Sequence, residues 1–201
     1  MNDRRAFILV CLASTVPPSI ARAADEAARA SAFIRETGIE LGKIARPENA
    51  PDARRAALKS FLDRVVDLPD VARFCAGRFW SQGDQAWRRR YLTLFETVIL
   101  LNVLNRLGAY RGSGSNVNIG NANPVGDDYE VPTTVRSEKD APVRVIWRVS
   151  FTSGGPRIVD VTAEGISLRV TLRSDFSSYL RQNGNDLNAL LGAMERMISG
   201  S

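Results

Sequence analysis

The residues able to do chemistry are few. No histidine occurs among the 201 residues, which removes the commonest general base and the commonest metal ligand. Cys11 and Cys75 are the only cysteines, too few for a zinc site. The sequence holds no G-x-S-x-G elbow, phosphate-binding loop or dinucleotide-binding glycine fingerprint. Two pairs of carboxylates remain for acid–base work. Asp127-Asp128 lies in a turn-forming stretch and reads as a solvated loop. Asp160 and Glu164, four residues apart on an expected strand, share a face unless Gly165 bulges it. Catalysis is not expected of either pair. Arg88, Arg89 and Arg90 read as a solvated helix face rather than a partner contact. No catalytic residue, metal or cofactor is expected.

The elements that position these groups begin with an export signal. Arg4 and Arg5 precede an apolar run, Ala6 to Val16, and Ala21-Arg22-Ala23 forms an A-x-A-like cleavage site. The expected division is a signal peptide over residues 1–23 and a single domain over 24–201. The run is too short to anchor in a bilayer. Arg4-Arg5-Ala6-Phe7-Ile8 fits either a Sec signal or a twin-arginine signal. Cleavage removes Cys11, so Cys75 stands alone and reads as a buried structural thiol. It also removes three arginines and one aspartate, which takes the net charge from +5 to +3. That balance makes no case for nucleic acid and is compatible with weak attraction to anionic membrane surfaces.

Helical spacing dominates the first half. Phe33, Ile34, Thr37, Leu41 and Ile44 form one stripe, and Leu58, Phe61, Leu62, Val65 and Val66 another. Pro51 and Asp52 suit the first turn of the second helix, Leu68-Pro69 its end, and a short helix follows from Asp70 to about Ala76. A fourth helix, capped by Ser81 or Asp84, carries Trp87, Tyr91, Leu94, Phe95 and Val98. From Val98 to Leu104 it is apolar on nearly every side apart from Asn102, so most of its faces need cover from protein or from an apolar ligand.

The second half turns to strands. Gly112 to Asn123 is rich in Gly, Ser and Asn and holds a first strand or a loop. Tyr129 to Arg136 is the next strand, with Pro132 marking an edge or bulge. Val143, Val145, Trp147, Val149 and Phe151 alternate with more polar neighbours. After the turn Ser153-Gly154-Gly155-Pro156, a long strand from Ile158 to Leu172 is expected to pair back, bent at Gly165. Two short helices close the chain, the first around Phe176, Tyr179 and Leu180, the second capped by Asn185. The expected class is α+β, with N-terminal and C-terminal helices packed on a twisted antiparallel sheet.

The stretch Ile158-Val159-Asp160-Val161-Thr162-Ala163-Glu164-Gly165-Ile166-Ser167-Leu168, continuing to Arg173 and Phe176, resembles the signature of the MlaC family. Pro142-Val143-Arg144-Val145, Gly77-Arg78-Phe79-Trp80 and the helix Tyr91 to Leu107 followed by Tyr110 resemble further family segments in the same order. The resemblance spans roughly Ala24 to Met197. It implies a periplasmic phospholipid-binding protein that holds acyl tails in an apolar pocket between sheet and helices. It further implies exchange of lipid with an inner-membrane ABC transporter complex and an outer-membrane lipoprotein–porin complex, in support of outer-membrane lipid asymmetry. The family is also known for toluene tolerance, and its hopanoid-associated relatives make another polar lipid a candidate cargo. The Gly- and Asn-rich stretch Gly112 to Asn123 and the absence of a long charged tail depart from its best-known members.

A monomer without nucleic-acid partners is expected. The candidate pocket lining is Phe79, Trp80, Phe95, Val98, Ile99, Val145, Trp147, Val149, Ile166, Leu168 and Val170. Each is equally a residue of a solid core. The competing readings are a non-catalytic periplasmic adaptor, for example of a hopanoid system, with a packed interior, and a lipid-modifying enzyme. The missing histidine argues against the enzyme.

Overall fold

A computed structural model describes residues 18–46, 48–109, 116–136 and 141–200. The first helix, α1 (Pro18–Ile44), runs through the expected cleavage site at Ala21–Ala23. The signal residues before Pro18 lie outside the described residues. Of the stripe that the spacing predicts along α1, Ile34, Thr37 and Ile44 are buried and Phe33 and Leu41 half-buried, with Ala30 buried as well.

Helix α2 (Pro51–Val65) begins with Pro51 and Asp52 in its first turn and buries Leu58, Phe61, Leu62 and Val65. Leu68-Pro69 does not end this helix. The chain leaves α2 at Val66 in an extended conformation, and Pro69 instead opens α3 (Leu68–Ala76). Proline fits there because the first helical turn needs no N–H from it. Asp67 caps α3 by accepting the Asp70 N–H at 3.0 Å. Gly77, at φ +56°, ends it.

After a short turn of helix, α4 (Phe79–Gln82), Asp84 rather than Ser81 caps α5 (Gln85–Ala109), accepting the Trp87 N–H at 2.7 Å. The first half of α5 drives an aromatic cluster into the core. Trp87 stacks on Tyr91 at 5.0 Å, and Phe95 meets Phe176 edge-on at 6.4 Å. The Tyr91 hydroxyl donates to the Ala72 carbonyl at 2.9 Å, which satisfies the polar end of a fully buried ring.

Among the described residues six strands form one antiparallel sheet: β1 (Asn116–Ile119), β2 (Asn123–Val125), β3 (Asp128–Arg136), β4 (Val143–Thr152), β5 (Gly155–Ala163) and β6 (Ile166–Ser167). The order is β1-β3-β4-β5-β6, with β2 also paired to β3. Helices α1, α2 and α3 pack against it, so the fold is α+β as expected.

Four local expectations are corrected. Pro132 is central in the sheet, not at an edge, though it does mark an irregularity, where 120–122 stand opposite Val131 and Pro132. It faces the break between β1 and β2, where its carbonyl accepts the Gly120 N–H at 2.8 Å. A residue in an antiparallel ladder points its N–H and C=O toward the same neighbour, so the missing N–H of Pro132 falls where no ladder bond is asked of it. The bulge lies at Val159 opposite Arg148 and Val149, not at Gly165. Gly165 (φ +81°) instead forms, with Glu164 (φ +50°), the turn between β5 and β6.

The third correction is the largest. The strand expected through Leu172 stops at Ser167, and Leu168–Gln182 is a helix, α6. Leu168, Leu172, Phe176 and Leu180 recur every four residues, so a helical stripe underlies the same letters as the period-two alternation. Capping decides between them: Ser167 Oγ accepts the Val170 N–H at 3.2 Å. Fourth, Asp186 rather than Asn185 caps the last helix, α7 (Leu187–Ser199). Asn185 takes a left-handed conformation in the connecting turn (φ +61°).

Candidate functional site

The sheet register assigns every strand side chain to a face, because directly paired residues of antiparallel strands share one. On the side that packs against the helices, four rows cross the strands. Tyr129, Val149 and Ile158 form the innermost row, and all three are buried. Next come Val131, Trp147 and Val161, of which only Val131 is buried. The third row is Ile119, Thr133, Val145, Ala163 and Ile166. The last is Val117, Val135 and Val143. Cover thins along this series, apart from Thr133, which is buried. Trp147, Val161, Val145 and Ile119 are half-buried, and Val143, Val117 and Ile166 are 42%, 51% and 65% exposed. One end of an apolar sheet face is thus left uncovered.

The second half of α5 is also incompletely covered. Six residues separate Ala109 from β1, whose first residue pairs with Arg136 at the outer end of β3. Within α5, Val98 and Leu100 are buried, but Ile99, Leu101, Val103 and Leu104 are only half-buried and Asn102 is exposed. The expectation that Val98–Leu104 is covered on most faces therefore holds for two of its residues. A half-open recess of about 200 Å³ lies along this stretch, lined by Val98, Leu101, Asn102, Asn105 and Met197. It falls below the roughly 300–1,000 Å³ typical of small-molecule pockets.

The sequence-predicted lining residues divide three ways. Phe79, Phe95, Val98 and Val149 are buried core. Trp80, Ile99, Val145 and Trp147 are half-buried, and all but Val145 pack against that core. The Trp147 indole N–H donates to Thr133 Oγ1 at 3.1 Å, which fixes the ring on the helix-facing side. Ile166, Leu168 and Val170 are exposed; the last two stand in the first turn of α6, because that segment is helix and not strand. Sequence reasoning passed over Ile119, Val161, Val117 and Val143 as site residues. Their period-two alternation was visible, but their placement needed the register.

The carboxylates have structural work. Asp160 Oδ2 accepts the Ser167 hydroxyl at 2.6 Å, and Oδ1 accepts the N–H groups of Val161 (2.8 Å) and Arg169 (3.2 Å). The buried Arg169 Nε stands 3.5 Å from Asp160 Oδ2, an ion pair longer than a good hydrogen bond. The Arg169 guanidinium lies over the Phe74 ring at 4.5 Å. Glu164 accepts the Arg144 N–H at 2.9 Å, and Asp128 pairs with Arg148 at 2.7 Å. The arginine run is likewise engaged: Arg88 donates to the Trp80 carbonyl at 2.9 Å and Arg90 pairs with Glu195. Cys75 is fully buried, and burial first, then the Asp160 carboxylate, push its thiol up to about 12. It is the inert structural thiol expected.

Fold and site together define a helix-backed antiparallel sheet whose apolar inner face runs out into the open at one end. The profile described as MlaC protein matches residues 41–196. The chain belongs to the MlaC family. Among solved structures it is similar to a phospholipid-binding protein from Ralstonia solanacearum, determined in complex with a phospholipid. The two share 20% identity and a TM-score of 0.71, over 85% of this chain and 97% of the other.

Proposed function

We propose that this protein is a periplasmic lipid carrier without catalytic activity. Exported by the signal over residues 1–23 and cleaved after Ala23, the domain over 24–201 would take a phospholipid or related polar lipid between an inner-membrane ABC transporter complex and an outer-membrane lipoprotein–porin complex. The acyl chains lie along the half-buried rows of the sheet, on Trp147, Val161, Val145 and Ile119. Ile99, Val103 and Leu104 of α5 supply further apolar surface, and the headgroup stays at the uncovered end.

The observation that supports this reading is the thinning of cover along a largely apolar face, from the buried row of Tyr129, Val149 and Ile158 to the exposed Val117 and Val143. Leaving such surface in water is costly, and each acyl CH₂ buried against it gains about 0.8 kcal/mol. A chain lying along it is held without strong headgroup contacts. Membership of the MlaC family and a structural neighbour solved with phospholipid support the same cargo class.

Native mass spectrometry of protein purified from periplasm without detergent tests this. One lipid per chain, identified after extraction, is the expected result. An apo mass that stays unchanged after incubation with lipid vesicles would refute it and favour the adaptor with a solid core.

A further inference from the structure

The turn into α6 exposes Ile166, Leu168 and Val170 within five residues, at 65%, 44% and 54%. Ile166 pairs with Ala163, which pairs with Val145, so this cluster adjoins the uncovered end of the sheet. Exposed aliphatic side chains of this size, grouped at one tip, mark an interaction surface. Two arginines flank them, with the exposed Glu164 in the turn between β5 and β6. Arg144 flanks the β5–β6 turn, its carbonyl accepting the Glu164 N–H at 3.2 Å. Arg173 stands on the other flank, over the Phe74 ring at 4.9 Å and close against Gly77. Of the nearby carboxylates, Asp160 is turned inward onto Ser167 and Arg169, and Glu164 accepts the Arg144 N–H. Neither Arg144 nor Arg173 pairs with a carboxylate among the ion pairs of the described residues.

We infer that this tip docks on an anionic lipid bilayer. Leu168 and Val170 enter the headgroup–acyl boundary while Arg144 and Arg173 meet lipid phosphates, the pairing of apolar and basic groups that surface-seeking segments use. The inference deepens the carrier reading and rests on it. Docking here would set the third apolar row, from Ile166 through Ala163 to Val145, against the membrane, so a chain could leave the sheet without crossing open water.

Flotation of the detergent-free protein with vesicles provides the test. One set is phosphatidylcholine alone, the other phosphatidylcholine with phosphatidylglycerol. Binding should favour the anionic vesicles and weaken as salt is raised. The double substitution Leu168→Ser, Val170→Ser should weaken it about tenfold, and Arg144→Gln with Arg173→Gln should remove most of the preference for anionic lipid. Circular dichroism shows that each variant is folded, and native mass spectrometry reads its bound lipid separately. Wild-type protein that carries lipid yet does not float with either vesicle overturns the docking proposal and spares the carrier reading. So does an unchanged double variant. Binding that appears only when a purified transporter complex is reconstituted in the vesicles overturns it in favour of a protein partner. Protein without lipid that still floats keeps the docking surface and defeats the carrier reading.

Discussion

Replacing Asp160 with alanine tests the reading of the family-like Asp…Glu-Gly-Ile-Ser segment as a structural joint. The carboxylate is 8% exposed and its partner Arg169 15%. Alanine removes the acceptor for two backbone N–H groups and for the Ser167 hydroxyl, and leaves a nearly buried guanidinium without its counter-charge. Breaking one side of a buried ion pair costs about 3–5 kcal/mol. Arg169 keeps its place over Phe74 and some access to water, so the low end, about 3 kcal/mol, is expected. For a chain of this size each kcal/mol moves the melting temperature by about 2–4 °C, so a fall of roughly 6–12 °C follows. Asp160→Asn keeps the volume and an acceptor and should fall between wild type and alanine. Ser167→Ala loses the α6 cap and should cost about 1 kcal/mol. Thermal unfolding followed by circular dichroism measures all three. If Asp160→Ala lies within about 1 kcal/mol of wild type, the network is a surface decoration and the argument fails.

Three further outcomes are expected. Trp147→Arg puts a charge on the half-buried sheet row and should abolish bound lipid in folded protein; unchanged occupancy by native mass spectrometry would show the pocket misplaced. Gly83→Ala sets a Cβ 2.2 Å from the ring of Trp87, which is held by stacking on Tyr91. It should cost about 1–3 kcal/mol in urea unfolding, and a neutral result would mean the ring moves freely. Cys75 titrates in the unfolded chain near 9 but only near 12 when folded. Between those values the unfolded state has lost a proton that the native state keeps, so stability falls as pH rises, by up to about 1.4 kcal/mol per pH unit. Urea midpoints should decline from pH 9 upward, and Cys75→Ser should flatten the decline below pH 10, where tyrosine is still protonated; identical slopes would refute the assignment.

The helices were legible because one pattern spoke alone. Leu58, Phe61, Leu62 and Val65 recur at helical spacing and are all buried, and Tyr91, Phe95 and Val98 behave likewise. Legibility failed where two periods coincide. From Ile166 to Leu172 alternate residues are apolar, but so is every fourth residue from Leu168 to Leu180. The tie is broken by Ser167 and by Asp160, seven residues earlier in the chain. Pairing across strands was equally out of reach. Val117 and Ile119 alternate visibly, yet nothing local says that they extend the faces of Val135 and Thr133. The site followed the same division: Trp147, Val145 and Ile99 were named from their own segments, while Ile119 and Val161 belong to it only through register.

The chain closes the β5 edge of its own sheet. An exposed edge strand invites pairing with another chain, and here three devices occupy it in sequence. The joint between α2 and α3 lays Val66 parallel to Ile158, with the Asp67 N–H bonded to the Ile158 carbonyl at 3.0 Å. The Val159 bulge then shifts the register, and Asp160 takes up the Val161 and Arg169 N–H groups. Beyond it, β6 pairs with Thr162 and Ala163. With that edge closed from Ile158 to Ala163, helices α2, α3 and α6 are all tied to β5. At the far end, β1, β3 and β4 carry their last apolar row past this cover, and Val117 and Val143 stand exposed there. Helix α1 packs on β1, β2 and β3 at the other edge, so cover reaches both edges of the sheet and runs out only along the strands, toward the row of Val117, Val135 and Val143.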